Sequence, residues 1–190
     1  MKYLAIDTET GSLDPKKGSL LTLYAVVLDD NFNAVAELDL KIKNDKYEPY
    51  QVTGEALKIN GINLAEHHAD NRNCTKGLAA LQLNDMINKH SEGGNNKLVP
   101  LGHNVGFDIG FINEHLVPKD IWNRYVDYHV MDTSIVAGYL KAKGIIPKEV
   151  KMNLGSLAKH FGINTDKGLL HSAKWDTVVM VSLYQAMLKK

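Results

Sequence analysis

The chain has 190 residues, 44% of them hydrophobic and 23% charged, with 22 Lys+Arg against 22 Asp+Glu. That length fits one compact domain, residues 1–190, with a core that needs no staples, and the composition excludes a disordered chain. The zero balance gives no composition-level reason to expect a nucleic-acid partner, because dedicated binders are usually basic. In chain order, Tyr3 to Ile6 is a continuous apolar run ending in Asp7, which suits a strand buried on both faces. It carries no cleavable leader pattern. Asp14-Pro15-Lys16-Lys17-Gly18 is turn chemistry. Leu20 to Leu28 predicts a second strand; it is broken by Thr22 and falls far short of the roughly 18–20 apolar residues a bilayer requires. Val35 to Ile42 alternates apolar and charged residues and predicts a half-buried edge strand.

Helical and irregular sequence follows. Thr53 to Ile59 predicts a short helix ended by Asn60-Gly61, and Thr75 to His90 a longer one. Asn63–Cys74 and Glu92–Lys97 read as surface segments, with interaction sites as the alternative. Leu98 to Leu101 predicts a fourth strand, with Pro100 awkward inside it. Val105 to Leu116 predicts a helix and Asp127 to Met131 a fifth strand. Helices follow over Thr133–Lys143, Asn153–Phe161 and Ser172–Leu188. Three strands, then strands alternating with helices, imply one layered α/β domain on a five-stranded mixed sheet. The one cysteine, Cys74, rules out an internal disulfide and a cysteine-based zinc site, and a soluble, cytoplasmic protein is expected.

Three clusters carry chemistry. Asp7-Thr8-Glu9-Thr10 ends the first strand, and residues i and i+2 of an extended segment point to the same side. Two converging carboxylates repel unless one binds a proton or both meet a cation. Alone, such a pair is more simply a solvated turn. Gly102-His103-Asn104-Val105-Gly106-Phe107-Asp108 links the fourth strand to a helix on which Asp108, Phe111 and Ile112 share a face. Asp108 there also complements the helix dipole. His171-Ser172-Ala173-Lys174-Trp175-Asp176 opens the last predicted helix, where Asp176 lies on the apolar face of Ala173, Met180 and Leu183. A lone carboxylate among apolar neighbours is costly, and a bound metal removes that cost.

Together these residues resemble the DEDDh (DnaQ-like) 3′–5′ exonucleases of the ribonuclease H-like superfamily. The branch includes the proofreading subunit of bacterial DNA polymerase III, ribonuclease T and oligoribonuclease. The first motif is Asp7-x-Glu9, the second the His103-Asn104-x-x-Phe107-Asp108 run, and the third His171-x(4)-Asp176. Position 172 is Ser, so the branch with a tyrosine there does not fit. The resemblance covers nearly the whole chain, including Asn153–Ile163 before the third motif and Val130-Met131-Asp132-Thr133 at a strand-to-helix junction. It implies a ribonuclease H-like three-layer fold and a metal-dependent hydrolase of phosphodiester bonds. Such an enzyme releases nucleoside 5′-monophosphates from a 3′ end, with single-stranded DNA favoured. Two Mg2+ or Mn2+ ions are implied, held by Asp7, Glu9, Asp108 and Asp176, with His171 as general base.

Thr8, Thr10, Leu13, Asn104 and Phe107 are the candidate substrate contacts, although a core role for Phe107 is at least as good. Asp132 is expected as an N-cap and His103 in a structural role. Two other readings stand beside this one. The first is the same chemistry on RNA. The second is a catalytically silent nucleic-acid-binding module, which predicts the loss of one of the five motif residues. A polymerase or repair partner in trans is compatible with the family, and no membrane partner is expected. Seven lysines between Lys141 and Lys174, against Glu149 and Asp166, form a candidate basic approach, a solvated lysine-rich surface being the plainer alternative. The neutral sum conceals an acidic site and this basic run.

Overall fold

The computed structural model describes residues 1–44, 48–91, 96–165 and 172–190. The opening apolar run extends into β1, Tyr3–Thr10, which pairs antiparallel with β2, Leu20–Leu28. β2 pairs in turn with β3, Ala34–Lys43. The predicted meander is therefore present, with a register shift at Glu9/Thr10. β5, Val99–Gly102, lies parallel to β1 on its other side, and β6, Met131–Asp132, lies parallel to β5. β4, Cys74–Thr75, adds to the outer edge of β3. The order is β4-β3-β2-β1-β5-β6. Among the described residues the sheet thus has six strands where five were expected, because a two-residue strand is too short to leave a period in the sequence.

β6 also starts later than expected. Val126 bridges Leu98, but Asp127 then turns the chain by accepting a hydrogen bond from the His129 amide, and pairing resumes only at Met131. That detour accommodates Pro100. Leu98 donates its N–H to Tyr125 and Val99 donates to Lys2, so alternation puts the Pro100 nitrogen on the β6 side. There the neighbouring chain has turned away and no donor is needed.

The helices are α1 (Gly54–Asn60), α2 (Leu64–Ala69), α3 (Lys76–His90), α4 (Val105–His115), α5 (Lys119–Tyr125), α6 (Thr133–Ala142), α7 (Leu154–His160) and α8 (Ala173–Met187). Thr53, Thr75, Asn153 and Ser172, read from sequence as first helical residues, are N-caps whose side chains accept from amides three residues on. α2 and α5 were not anticipated. Both are under two turns long, too short for an apolar stripe, and α2 starts on an Asn63 cap inside the segment read as surface. None of the described helices is long and apolar enough to cross a membrane.

The two sheet faces bury different layers. Leu4, Ile6, Leu23, Ala25 and Ile42 face α3 and α4 through Leu83, Ile87, Phe111 and Ile112. Tyr3, Ala5, Tyr24 and Val26 face α8 through Ala173, Met180 and Tyr184. α6 and α7 close over the outer side of α8 through Leu140, Leu157 and Leu183. β1 is therefore buried on both faces, and alternation assigns Asp7 and Glu9 to the α8 layer and Thr8 and Thr10 to the α4 layer.

Candidate active site

The parallel strands β1 and β5 end at the same edge, where chains emerging from strand ends can converge. Asp7 and Glu9 stand there on the α8 face, and Asp176 reaches them from the first turn of α8. One carboxylate oxygen from each of the three lies within 4.8 Å of the others. All three are half-buried. Asp108 comes from the opposite layer, on the first turn of α4, and is 4% exposed. It lies outside that trio. Its Oδ1 accepts a 2.7 Å hydrogen bond from the Thr8 hydroxyl, which points to the same layer.

Burial and mutual repulsion dominate the electrostatics. The Asp7 carboxyl is held well above the usual carboxylate range, first by burial and then by Asp108, Glu9 and Asp176. Glu9 is pushed up to about 8 by burial and by the charges of Asp176 and Asp108. Asp108 is raised to about 7 by burial, against the lowering effect of the Thr8 hydrogen bond. Such a group of oxygen ligands, costly to ionise without compensation, suits a hard divalent cation. The fit rests on the donor set: carboxylates alone, with no thiol or imidazole among Asp7, Glu9 and Asp176.

A pH dependence follows. Carboxyls raised in the folded state favour their protonated form, so their contribution to stability is complete below about pH 4, the unfolded value, and is lost as pH rises through about 7 to 8. The metal-free protein is therefore expected to melt at lower temperature at pH 8 than at pH 5. Mn2+ at about a hundred times its Kd should restore about 2.7 kcal/mol at pH 8, a rise of about 5–10 °C, and clearly less at pH 5. Differential scanning fluorimetry across pH with Mn2+ or EDTA reads this directly; an equal Mn2+ shift at both pH values contradicts it.

The candidate substrate contacts separate. Thr8 and Thr10 are buried and their hydroxyls are engaged within the protein, Thr8 on Asp108 and Thr10 on the Ser12 carbonyl. Leu13 is 88% exposed. Asn104 is exposed and left-handed, with φ 60°, and its side chain makes no cap. Phe107 packs on the α4-side core with its ring 5.0 Å from that of Phe111, which is the core role. His171 lies outside the described residues. Thr8→Val removes the hydroxyl from a buried carboxyl and is expected to cost about 1–3 kcal/mol in chemical denaturation; an unchanged midpoint would show that the bond contributes nothing.

Sequence reasoning missed several residues here. Asn60 is buried and donates its side-chain amide to the Thr10 carbonyl, tying the end of α1 to the end of β1. Thr22 sits opposite Glu9 on β2, its hydroxyl buried with no hydrogen-bond partner among the described residues. Both border the site only through long-range pairing, so no local pattern marks them. A groove of about 550 Å3 opens beside Glu9, lined by Thr22, Lys41, Ile62, Asn63, Arg72 and Lys174 among others. Of the lysine run, Lys141 donates to the Val150 carbonyl, and Lys174 lies 3.6 Å from Glu37 over the Tyr24 ring.

Residues 4–184 match the family model RNase_T, described as Exonuclease. Ribonuclease T of Haemophilus influenzae strain PittGG is 27% identical over 184 residues, covering 94% of this chain and 76% of its own. Exonuclease I from Methylocaldum szegediense superposes with a TM-score of 0.77 at 16% identity, over 100% of this chain and 40% of that one. Escherichia coli exonuclease I in complex with a dT13 oligonucleotide gives 0.69 at 21% identity, over 98% and 40%. The chain thus spans about two fifths of the exonuclease I chains it matches, and the likeness to them is one of ribonuclease H-like fold.

Proposed function

Because the chain belongs to the exonuclease family RNase_T, and is thereby a nuclease, we propose that it is a DEDDh 3′–5′ exonuclease acting on single-stranded DNA, with residues 1–190 working as one exonuclease domain. The observation that carries this reading is the convergence of Asp7, Glu9 and Asp176 at the strand-end edge, with Asp108 next to them. Asp7, Glu9 and Asp176 would hold one Mg2+ or Mn2+, and Asp7 with Asp108 would help hold a second. When bound, the ions supply positive charge that offsets the negative charge developing on the attacking and leaving oxygens.

The chain's own residues do the rest. His171 takes a proton from the attacking water, a task that suits an imidazole with an unperturbed pKa of about 6.5. Leu13, projecting into solvent, offers an apolar face to the terminal base, and Asn104 offers an exposed amide to the strand. Asp108 is held in place through Thr8 rather than by solvent.

A second reading has its own support. The curated relatives at 27% identity are ribonucleases T, which favours RNA, whereas the Escherichia coli fold neighbour was solved with an oligodeoxynucleotide, which favours DNA. A panel of labelled single- and double-stranded DNA and RNA oligonucleotides, each with Mg2+, Mn2+ or EDTA, tests the proposal. Stepwise shortening from the 3′ end of single-stranded DNA, abolished by EDTA, is expected. Shortening of RNA alone establishes the second reading, and no hydrolysis of any substrate overturns both.

A further inference from the structure

The junction of β6 and α6 does more than start a helix. Asp132 caps α6 as its position suggests, its Oδ1 accepting from the Ser134 amide at 2.8 Å and the Ser134 hydroxyl at 2.7 Å. The same carboxylate also reaches the neighbouring strand end. Oδ1 accepts from the Asn104 amide at 3.1 Å, and Oδ2 from the Val105 amide at 2.9 Å. One buried side chain thus serves two helix starts, α4 and α6. Thr133 completes the contact: its hydroxyl donates to the Gly102 carbonyl at 3.2 Å and lies 2.8 Å from His103 Nδ1.

The segment so held cannot hold itself. Asn104 is left-handed and provides no side-chain cap for α4, a conformation disfavoured for a residue with a Cβ, although asparagine tolerates it best. Gly102 is tightly enclosed, since a Cβ there would stand 2.6 Å from the Val105 side chain. Without an acceptor from outside, the Val105 amide at the start of α4 would be buried and unpaired. Asp108 lies one turn beyond, on the Thr8 side.

We propose that Asp132, assisted by Thr133, is a positioning residue that fixes the Gly102–Val105 turn and through it the place of the Asp108 carboxylate relative to Asp7. The proposal rests on the reading of Asp108 as a metal-binding carboxylate. Asparagine is the informative replacement. It keeps the shape of aspartate but has one acceptor oxygen, so either the Val105 amide or the Asn104 and Ser134 donors must face an N–H.

In Asp132→Asn, the Mn2+ concentration for half-saturation, measured by calorimetry without substrate, is expected to rise about 10–100-fold, the range for residues that orient metal ligands. That rise should vanish in an Asp108→Asn background, because the effect passes through Asp108. Ser134→Ala, which loosens only the α6 side of the cap, should leave the Mn2+ titration unchanged. Unchanged Mn2+ binding in Asp132→Asn, an equal loss in Ser134→Ala, or the same rise without Asp108 would each overturn the proposal. Amide exchange over residues 104–108, expected to quicken at least tenfold in Asp132→Asn, judges the clamp without reference to metal, and unchanged exchange there also overturns the proposal. If the parent binds no Mn2+, the metal reading of the carboxylates fails and the exchange result still decides the clamp. Should Asp132→Asn fail to fold, Thr133→Val is the replacement, with the same signs and a severalfold smaller change.

Discussion

Asp7→Ala is expected to reduce hydrolysis of a single-stranded oligonucleotide by about a hundredfold to a thousandfold or more, the scale for losing one preorganised group that stabilises transition-state charge, while the protein folds normally. Asp108, Glu9 and Asp176 all oppose the ionisation of Asp7. Removing it takes away a proposed ligand and a source of repulsion together. The metal-free variant should therefore melt at or above the parent's temperature at pH 8, and its Mn2+-induced rise should shrink. A melting temperature falling by more than a few degrees would point to a structural role, and undiminished hydrolysis by folded protein would remove Asp7 from the site.

His171→Ala is the second large effect. Loss of a positioned base lowers turnover by about a hundredfold to ten-thousandfold, whereas a residue that is not a ligand leaves metal affinity within about twofold. Equal losses of turnover and of Mn2+ affinity in calorimetry would make His171 a ligand instead.

How far these features could be read from residues alone depends on the range of the signal. Asp7 and Glu9 announce themselves because an apolar run and a two-residue spacing are both local. Asp176 does so through its apolar neighbours on α8. The separation of Asp108 from the other three was not legible. It depends on which face of β1 each layer covers, and both faces read as apolar from Tyr3 to Ile6. The second role of Asp132 was hidden for a similar reason: an N-cap is a local pattern, but the amides of Asn104 and Val105 lie nearly thirty positions away and meet it only because β6 pairs with β5. Asn60 and Thr22 escaped for want of any local mark. The helix boundaries erred by one residue at their caps, where side chains begin to serve the helix before the backbone joins it.

The alternation of β1 has a consequence for the order in which the protein matures. Its acids are drawn from two layers on opposite sides of one strand, and Asp176 arrives on α8, the last of the described elements to join the sheet in chain order. A chain still lacking that docked helix presents Asp7 and Glu9 without their third partner. A cation held as proposed would thus be fully bound only after both coverings have closed on the central ribbon, and a half-assembled chain would offer the ion little to hold.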